Sequence, residues 1–200
     1  MIDIVADIIC GDDAKCKEEL LKVPQEVNSL FNNDFHFIPR LKSLNPPLID
    51  QVENLDDTKA YFDNEELAKL AVAHRLHLMY GDKFRNWRGS ICPICGRTPN
   101  LFIIKRSEGP SYSGYVKTAK CVCGFSWNYG WWHCPNCGVE GRENFDVLMI
   151  KNLSGVFIYR CKRCGYVHAE VYDVGINEVV EYGLRVLINS LNREVKVYVA

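Results

Sequence analysis

Apolar and polar positions recur with two different periods along this 200-residue chain, and the change falls near residue 90. Residues 1–90 read as helical. Asp12 and Asp13 can cap a segment running to about Leu21, with Leu20, Leu21, Val27, Leu30 and Phe31 as apolar positions and Pro24 as a break or restart. A loop rich in Pro and Asn follows over 32–47. The clearest helix is predicted over 64–87, with Asp63 as N-cap and Glu65 and Glu66 in the favourable first turn. Leu67, Leu70, Ala71, His74, Leu78 and Met79 recur at helical spacing on one face, and Gly81 is a point of interruption before Phe84 and Trp87.

From 91 to 172 the pattern becomes one of short strands and turns. Residues 101–105 and 115–121 read as a hairpin joined through 107–111. Residues 145–150 and 156–161 read as its duplicate, turning at 152–155, and 166–171 alternate like a further strand. An amphipathic helix is predicted over 176–191 from Ile176, Val179, Val180, Leu184, Leu187, Ile188 and Leu191, followed by a short extended tail over 194–200.

The duplication is sharper in the cysteines. Cys92-Pro-Ile-Cys95-Gly is answered by Cys121-Val-Cys123-Gly, and Cys134-Pro-Asn-Cys137-Gly by Cys161-Lys-Arg-Cys164-Gly; 25 residues separate Cys95 from Cys121 and 23 separate Cys137 from Cys161. Two such pairs make one tetrathiolate site, so the chain has donors for two. A dication lowers thiol pKa and lets four thiolates share one charge centre. The Gly after each pair suits a turn that ends at positive φ, and Pro93 and Pro135 preset the turn they begin. The expected sites are Cys92, Cys95, Cys121 and Cys123, and Cys134, Cys137, Cys161 and Cys164, each holding zinc, with iron as the alternative because both accept this geometry. Cys121 and Cys123 are one residue closer than the other pairs. That leaves a distorted four-cysteine site, which is preferred, or one in which His133 replaces a sulfur.

Composition fits a soluble globular protein, with 48% apolar residues and a net charge of −1. The start of the chain lacks a basic leader and no run is long enough to span a membrane, so a cytoplasmic protein with reduced thiols is expected. Charge is uneven: residues 1–80 hold 8 basic and 15 acidic side chains, 81–165 hold 13 and 5, and 166–200 hold 3 and 5. A balance of +8 on a zinc ribbon suggests nucleic acid. Two tetrathiolate zinc sites, each formally −2, reduce it to about +4.

With Cys92-Pro-Ile-Cys95-Gly-Arg97-Thr98-Pro99, then Cys123 and Trp127, Cys134-Pro-Asn-Cys137 and Cys161-Lys-Arg-Cys164, the chain resembles the formate dehydrogenase accessory (FdhE-type) family. The resemblance implies a helical N-terminal part joined to two rubredoxin-like modules. It also implies a non-enzymatic helper that binds the catalytic subunit of a molybdenum- or tungsten-dependent formate dehydrogenase before export or activation. This chain departs from the family in its shorter helical part, in the C-x-C pair, and in Trp131 where the family tends to have Arg.

The expected architecture is therefore α+β, with a helical part (1–90), two tandem zinc-ribbon modules (91–130 and 131–172), and a closing helix and tail (173–200). Oligomeric state is left open. Rival functions are nucleic-acid binding, with Arg97, Lys105, Arg106, Lys117 and Lys120 as phosphate contacts, and rubredoxin-like electron transfer. The aromatic stretch 125–133 reads first as packing between ribbons and second as a partner surface. His74 and His77 read as a partly buried core residue and a surface residue, His36 and His168 as surface or strand positions, and Cys10 and Cys16 as buried or incidental thiols.

Overall fold

Both cysteine hairpins belong to one six-stranded sheet in the computed structural model, which describes residues 2–29, 35–109, 112–151, 153–172 and 176–198. Helices α1 (Ile2–Cys10) and α2 (Ala14–Ser29) come first. An irregular stretch follows with 3-10 turns at Leu48–Gln51 and Leu55–Ala60, then α3 (Glu65–Tyr80), which tightens into a 3-10 turn at Gly81–Phe84. The strands are β1 (Leu101–Gly109), β2 (Tyr112–Lys120), β3 (Ser126–Asn128), β4 (Phe145–Met149), β5 (Val156–Cys161) and β6 (Val167–Tyr172), and α4 (Glu178–Tyr198) closes the chain. The fold is α+β, with the helical start, two four-cysteine clusters and final helix that the pattern implied.

The sheet order is β3-β2-β1-β6-β5-β4, and β1 runs parallel to β6 while all other neighbours are antiparallel. The halves repeat in register. Leu101 pairs with Lys120, the residue before Cys121, and Asp146 pairs with Arg160, the residue before Cys161. Ser126 then sits on Lys120 as Val167 sits on Arg160. Each hairpin thus carries its two cysteine turns at the open end of its ladder, opposite the turn that joins its strands, and the parallel β1–β6 seam joins the halves.

One face of the sheet is covered by α4 and α1 over Leu101, Ile103, Ile158, Ala169 and Val171. Gly183 allows that approach, since a Cβ there would lie 2.6 Å from Cγ1 of Val5. A second cluster joins α3 to Phe102, Trp127 and the first cysteine set, and a third surrounds Cys134, Cys161 and Phe145.

Several local expectations change. Pro24 lies inside α2 instead of breaking it. The helix loses one backbone donor there, while Leu20 is buried and α2 packs on α4, so tertiary contact holds the turn. The cap of α3 is Asn64, whose side-chain oxygen accepts from Leu67 N–H at 2.9 Å, so the helix starts one residue later than Asp63 would place it. The predicted tail is helical through Tyr198, because no Gly or Pro follows Leu191 to stop it. Leu30, Phe31, Pro110, Ser111 and Asn152, used in the sequence reading, lie outside the described residues.

Candidate metal centres

Three of the four cysteine turns share one hydrogen-bond design. Cys92 N–H donates to the carbonyl of Arg97 and Gly96 N–H to that of Cys92; Cys134 pairs likewise with Val139 and Gly138, and Cys161 with Tyr166 and Gly165. Gly96, Gly138 and Gly165 have φ of 71°, 71° and 72°, a region where a Cβ is strained. The C-x-C turn keeps both bonds with one residue fewer in each ring: Cys121 N–H donates to Phe125, and Gly124 N–H to Cys121. Gly124 takes up the difference at φ 95°. The missing residue therefore shortens the turn without dissolving it.

The turns converge in two sets. Within each set, Cys92/Cys95/Cys121/Cys123 and Cys134/Cys137/Cys161/Cys164, all sulfurs lie within 4.8 Å of one another. Across the hairpin, Cys92 to Cys123 is 3.7 Å and Cys95 to Cys121 3.2 Å; Cys134 to Cys164 is 3.6 Å and Cys137 to Cys161 3.7 Å. A tetrahedron with zinc–sulfur bonds of about 2.3 Å has edges of about 3.8 Å, so both donor sets fit a tetrathiolate zinc or iron ion, with the first slightly compressed. The sulfurs compete for protons as such a set must. Hydrogen bonds from Cys123, Cys92 and Cys95 hold the Cys121 thiol well below its ordinary value, and Cys121 in turn pushes Cys123 and Cys92 up. Burial pushes Cys134 and Cys161 up. At Cys164 burial acts upward too, but the Tyr166 backbone and the polar neighbours outweigh it and bring the thiol down to about 7.

Among the described residues, the N-terminal part clamps the first set and not the second. Leu48 and Ile49 N–H donate to the carbonyls of Pro93 and Ile94 inside the first turn, both at 2.9 Å. From α3, His74 Nδ1 lies 3.3 Å from the Cys123 carbonyl, and His77 packs edge-on against Phe125. His77 is thus half-buried rather than a surface residue; burial, with His74 beside it, lowers its pKa. Both imidazoles touch the space that a side chain at Gly124 would fill. The sequence carries the i, i+3 spacing of these histidines but no sign of the turn they face. His133 stands apart from the sulfurs, hydrogen-bonded to Glu140, Nδ1 to Oε1 3.0 Å.

Other sequence expectations divide. Phe125 and Trp127 are buried, with Trp127 Nε1 donating to Gly89, whereas Trp131 is 44% exposed. Trp132 packs against Tyr159 and Phe145 at φ 51°. Among the phosphate-contact candidates, Arg97 pairs with Glu66, Arg106 with Glu108, Lys120 with Glu181, and Lys117 is buried against Glu170. Lys117 is engaged within the fold and Lys120 partly so, whereas Arg97 and Arg106 pair at the exposed surface. His168 is on a strand, as allowed, but wholly buried. Cys10 and Cys16 are not incidental thiols, and the expectation of reduced thiols fails for this pair: they form a disulfide across the α1–α2 junction, with Cα atoms 5.6 Å apart. Their separation of six residues brings them together only because both helices turn back at Gly11.

No family model matches the chain. In sequence it is similar to a protein FdhE homolog from Aquifex aeolicus (strain VF5), 27% identical over 78 residues. That match takes in 39% of this chain and 27% of the relative, so it spans about a quarter of the relative's length. Among solved structures it is similar to the FdhE protein from Pseudomonas aeruginosa, with a TM-score of 0.47 at 16% identity, covering 96% of this chain and 65% of that one. The sequence match is to the kind of protein that the cysteine pattern resembles.

Proposed function

We propose that this chain is a non-enzymatic accessory protein that binds the catalytic subunit of a formate dehydrogenase, or of a related molybdenum or tungsten enzyme, during its maturation in the cytoplasm. Its two four-cysteine sets hold zinc in a structural or redox-sensing role. The observation that carries this reading is the tandem of closed four-cysteine sites in a chain whose sequence is similar to an FdhE homolog. Four thiolates complete the coordination of a tetrahedral ion and leave no position for substrate, which suits a scaffold better than a catalyst. Bound metal would fix the four turns, while backbone N–H groups and the clamp from Leu48, Ile49 and His74 orient the sulfurs. The burial of Lys117 against Glu170 and the pairing of Lys120 with Glu181 weaken the nucleic-acid alternative by removing two of its phosphate contacts.

The test is binding of the purified catalytic subunit to the zinc-loaded chain by calorimetry, together with formate dehydrogenase activity in cells lacking the chain. A one-to-one complex and lost activity are expected. No complex at tens of micromolar with unaltered activity overturns the reading. A colourless zinc protein after anaerobic purification excludes the electron-transfer alternative, and a red iron protein with a reversible couple would establish it.

A further inference from the structure

The repeat in register exposes an inequality between the two halves. Counting from the partners of Lys120 and Arg160, the residues just before the second cysteine turn of each half, Asp146, Val147, Leu148 and Met149 of β4 are the equivalents of Leu101, Phe102, Ile103 and Ile104 of β1. On β1 those four residues pair with β6, running parallel, and none is more than 9% exposed. On β4 no strand takes that place among the described residues; Val147 is 42% exposed, Leu148 57% and Met149 77%. Three consecutive apolar residues on an edge strand put bare side chains on both faces beside unpaired backbone groups. Edge strands are ordinarily protected by charge, proline or a bulge, and only Asp146 provides any of these here.

We infer that the outer edge of β4 is a docking site for an extended, apolar segment of a partner polypeptide, which adds to the sheet as a seventh strand parallel to β4, as β6 adds to β1. An extended chain is the one ligand that satisfies a row of backbone donors and acceptors while covering alternate side chains above and below. The β1–β6 seam shows what this ladder accepts: Ala169–Tyr172, with Ala169 and Val171 on the apolar face and Glu170 on the other, buried against Lys117. In the second half the place of Lys117 is held by Phe157, so a strand added to β4 is apolar on both faces. Head-to-tail addition of a second copy through β3 suits the edge poorly. Continuing the repeat would bring in β3, which is three residues long, with Ser126 and Asn128 exposed and polar. Too little of it remains to cover Met149. The site stands independently of the functional reading; only the partner's identity, the enzyme subunit, rests on that reading.

The experiment uses the full zinc-loaded chain and, as probe, a synthetic peptide of the β6 sequence Val167–Tyr172 carrying Glu170→Val, because Phe157 stands beside β4 where Lys117 meets Glu170 in the β1–β6 seam. Amide hydrogen exchange is followed across β4, with Leu148→Lys and Met149→Lys variants as controls. Peptide-dependent slowing of exchange over Phe145–Met149, at least tenfold and lost in both variants, is expected. Absence of protection, protection elsewhere, or a β4 already protected in a particle of twice the chain mass each overturns the inference. In parallel, the enzyme subunit is titrated onto wild type and both variants. Binding that the variants abolish supports the site, and binding that they leave intact overturns it as the docking site for this partner. If wild type fails to bind the subunit, the functional reading falls and the peptide result alone decides the edge.

Discussion

His74 Nδ1 sits 3.3 Å from the carbonyl oxygen of Cys123, tying the middle of α3 to the shortened cysteine turn. A carbonyl can only accept, so this ring nitrogen carries the proton. Partners of this kind around metal ligands orient the ligand backbone, and losing one typically weakens metal binding 10–100-fold. His74→Ala is expected to weaken metal at the Cys92/Cys95/Cys121/Cys123 set by about tenfold and leave the other set unchanged. Chelator competition with each set disabled in turn would measure this, and equal weakening of both sets would refute the tie.

The two sets should release metal in order. Cys137 and Cys164 are half-buried in the second, while only Cys95 is in the first, and the Leu48, Ile49 and His74 contacts belong to the first alone. A chelator should strip the second set first, in a fast phase that Cys134→Ser abolishes. That variant should hold one metal equivalent and lose the structure of the second turn pair, because metal supplies much of the folding free energy of such a module. Two equivalents retained at native stability would contradict the pairing.

Lys117 and Glu170 form an ion pair between β2 and β6, both nearly inaccessible, with the ammonium 4.4 Å from the Phe102 ring centre. Removing one partner strands a buried charge at a cost of about 3–5 kcal/mol. Lys117→Met should lose roughly that much stability. The double variant with Glu170→Leu should regain most of it, since apolar replacement of both partners is often neutral. Urea denaturation resolves the difference.

Acid should destabilise the same region in two steps. Burial holds His168 below its ordinary value of 6.5. At Glu170 burial alone would raise the carboxyl, but His168 and Lys117 outweigh it and hold it below 4.5. Both groups are lowered in the fold, so the unfolded chain takes up protons first as pH falls. Stability is therefore fully present above about pH 6.5, declines below that through His168, and declines again below about pH 4.5 through Glu170. Thermal melts of wild type and His168→Phe from pH 8 to 4 should differ in slope near pH 6. Parallel profiles would show that His168 does not contribute.

The Cys10–Cys16 bond closes a short loop, and such a cross-link is worth on the order of 2 kcal/mol through the unfolded chain. Replacing both with Ser should lower unfolding free energy by about that amount, with both metals retained. Metal loss in that variant would mean that α1 and α2 support the cysteine sets more directly than their packing on α4 indicates.

The cysteine turns were legible in the chain because a ligand pair and its turn glycine are encoded locally, within five residues, and the repeat of four pairs announces two sites. Strand alternation and the final helix were legible for the same reason: each depends on a period that neighbours alone display. The start of α3 and the C-terminal tail were misread locally, whereas the other failures were settled by distant contact. Pro24 is carried through a helix by packing on α4, and His168, a surface or strand position by pattern, and Lys117, a phosphate-contact candidate, become buried because sheet neighbours close over them. Sequence alone also had no means to place His74 against Cys123, 49 residues away, or to choose β6 rather than another strand as the partner of β1. A spacing specifies which donors exist and what turn they sit in. Pairing between remote strands decides which edges are covered, and with them why Phe102 is core while Val147, its equivalent in the repeat, faces solvent.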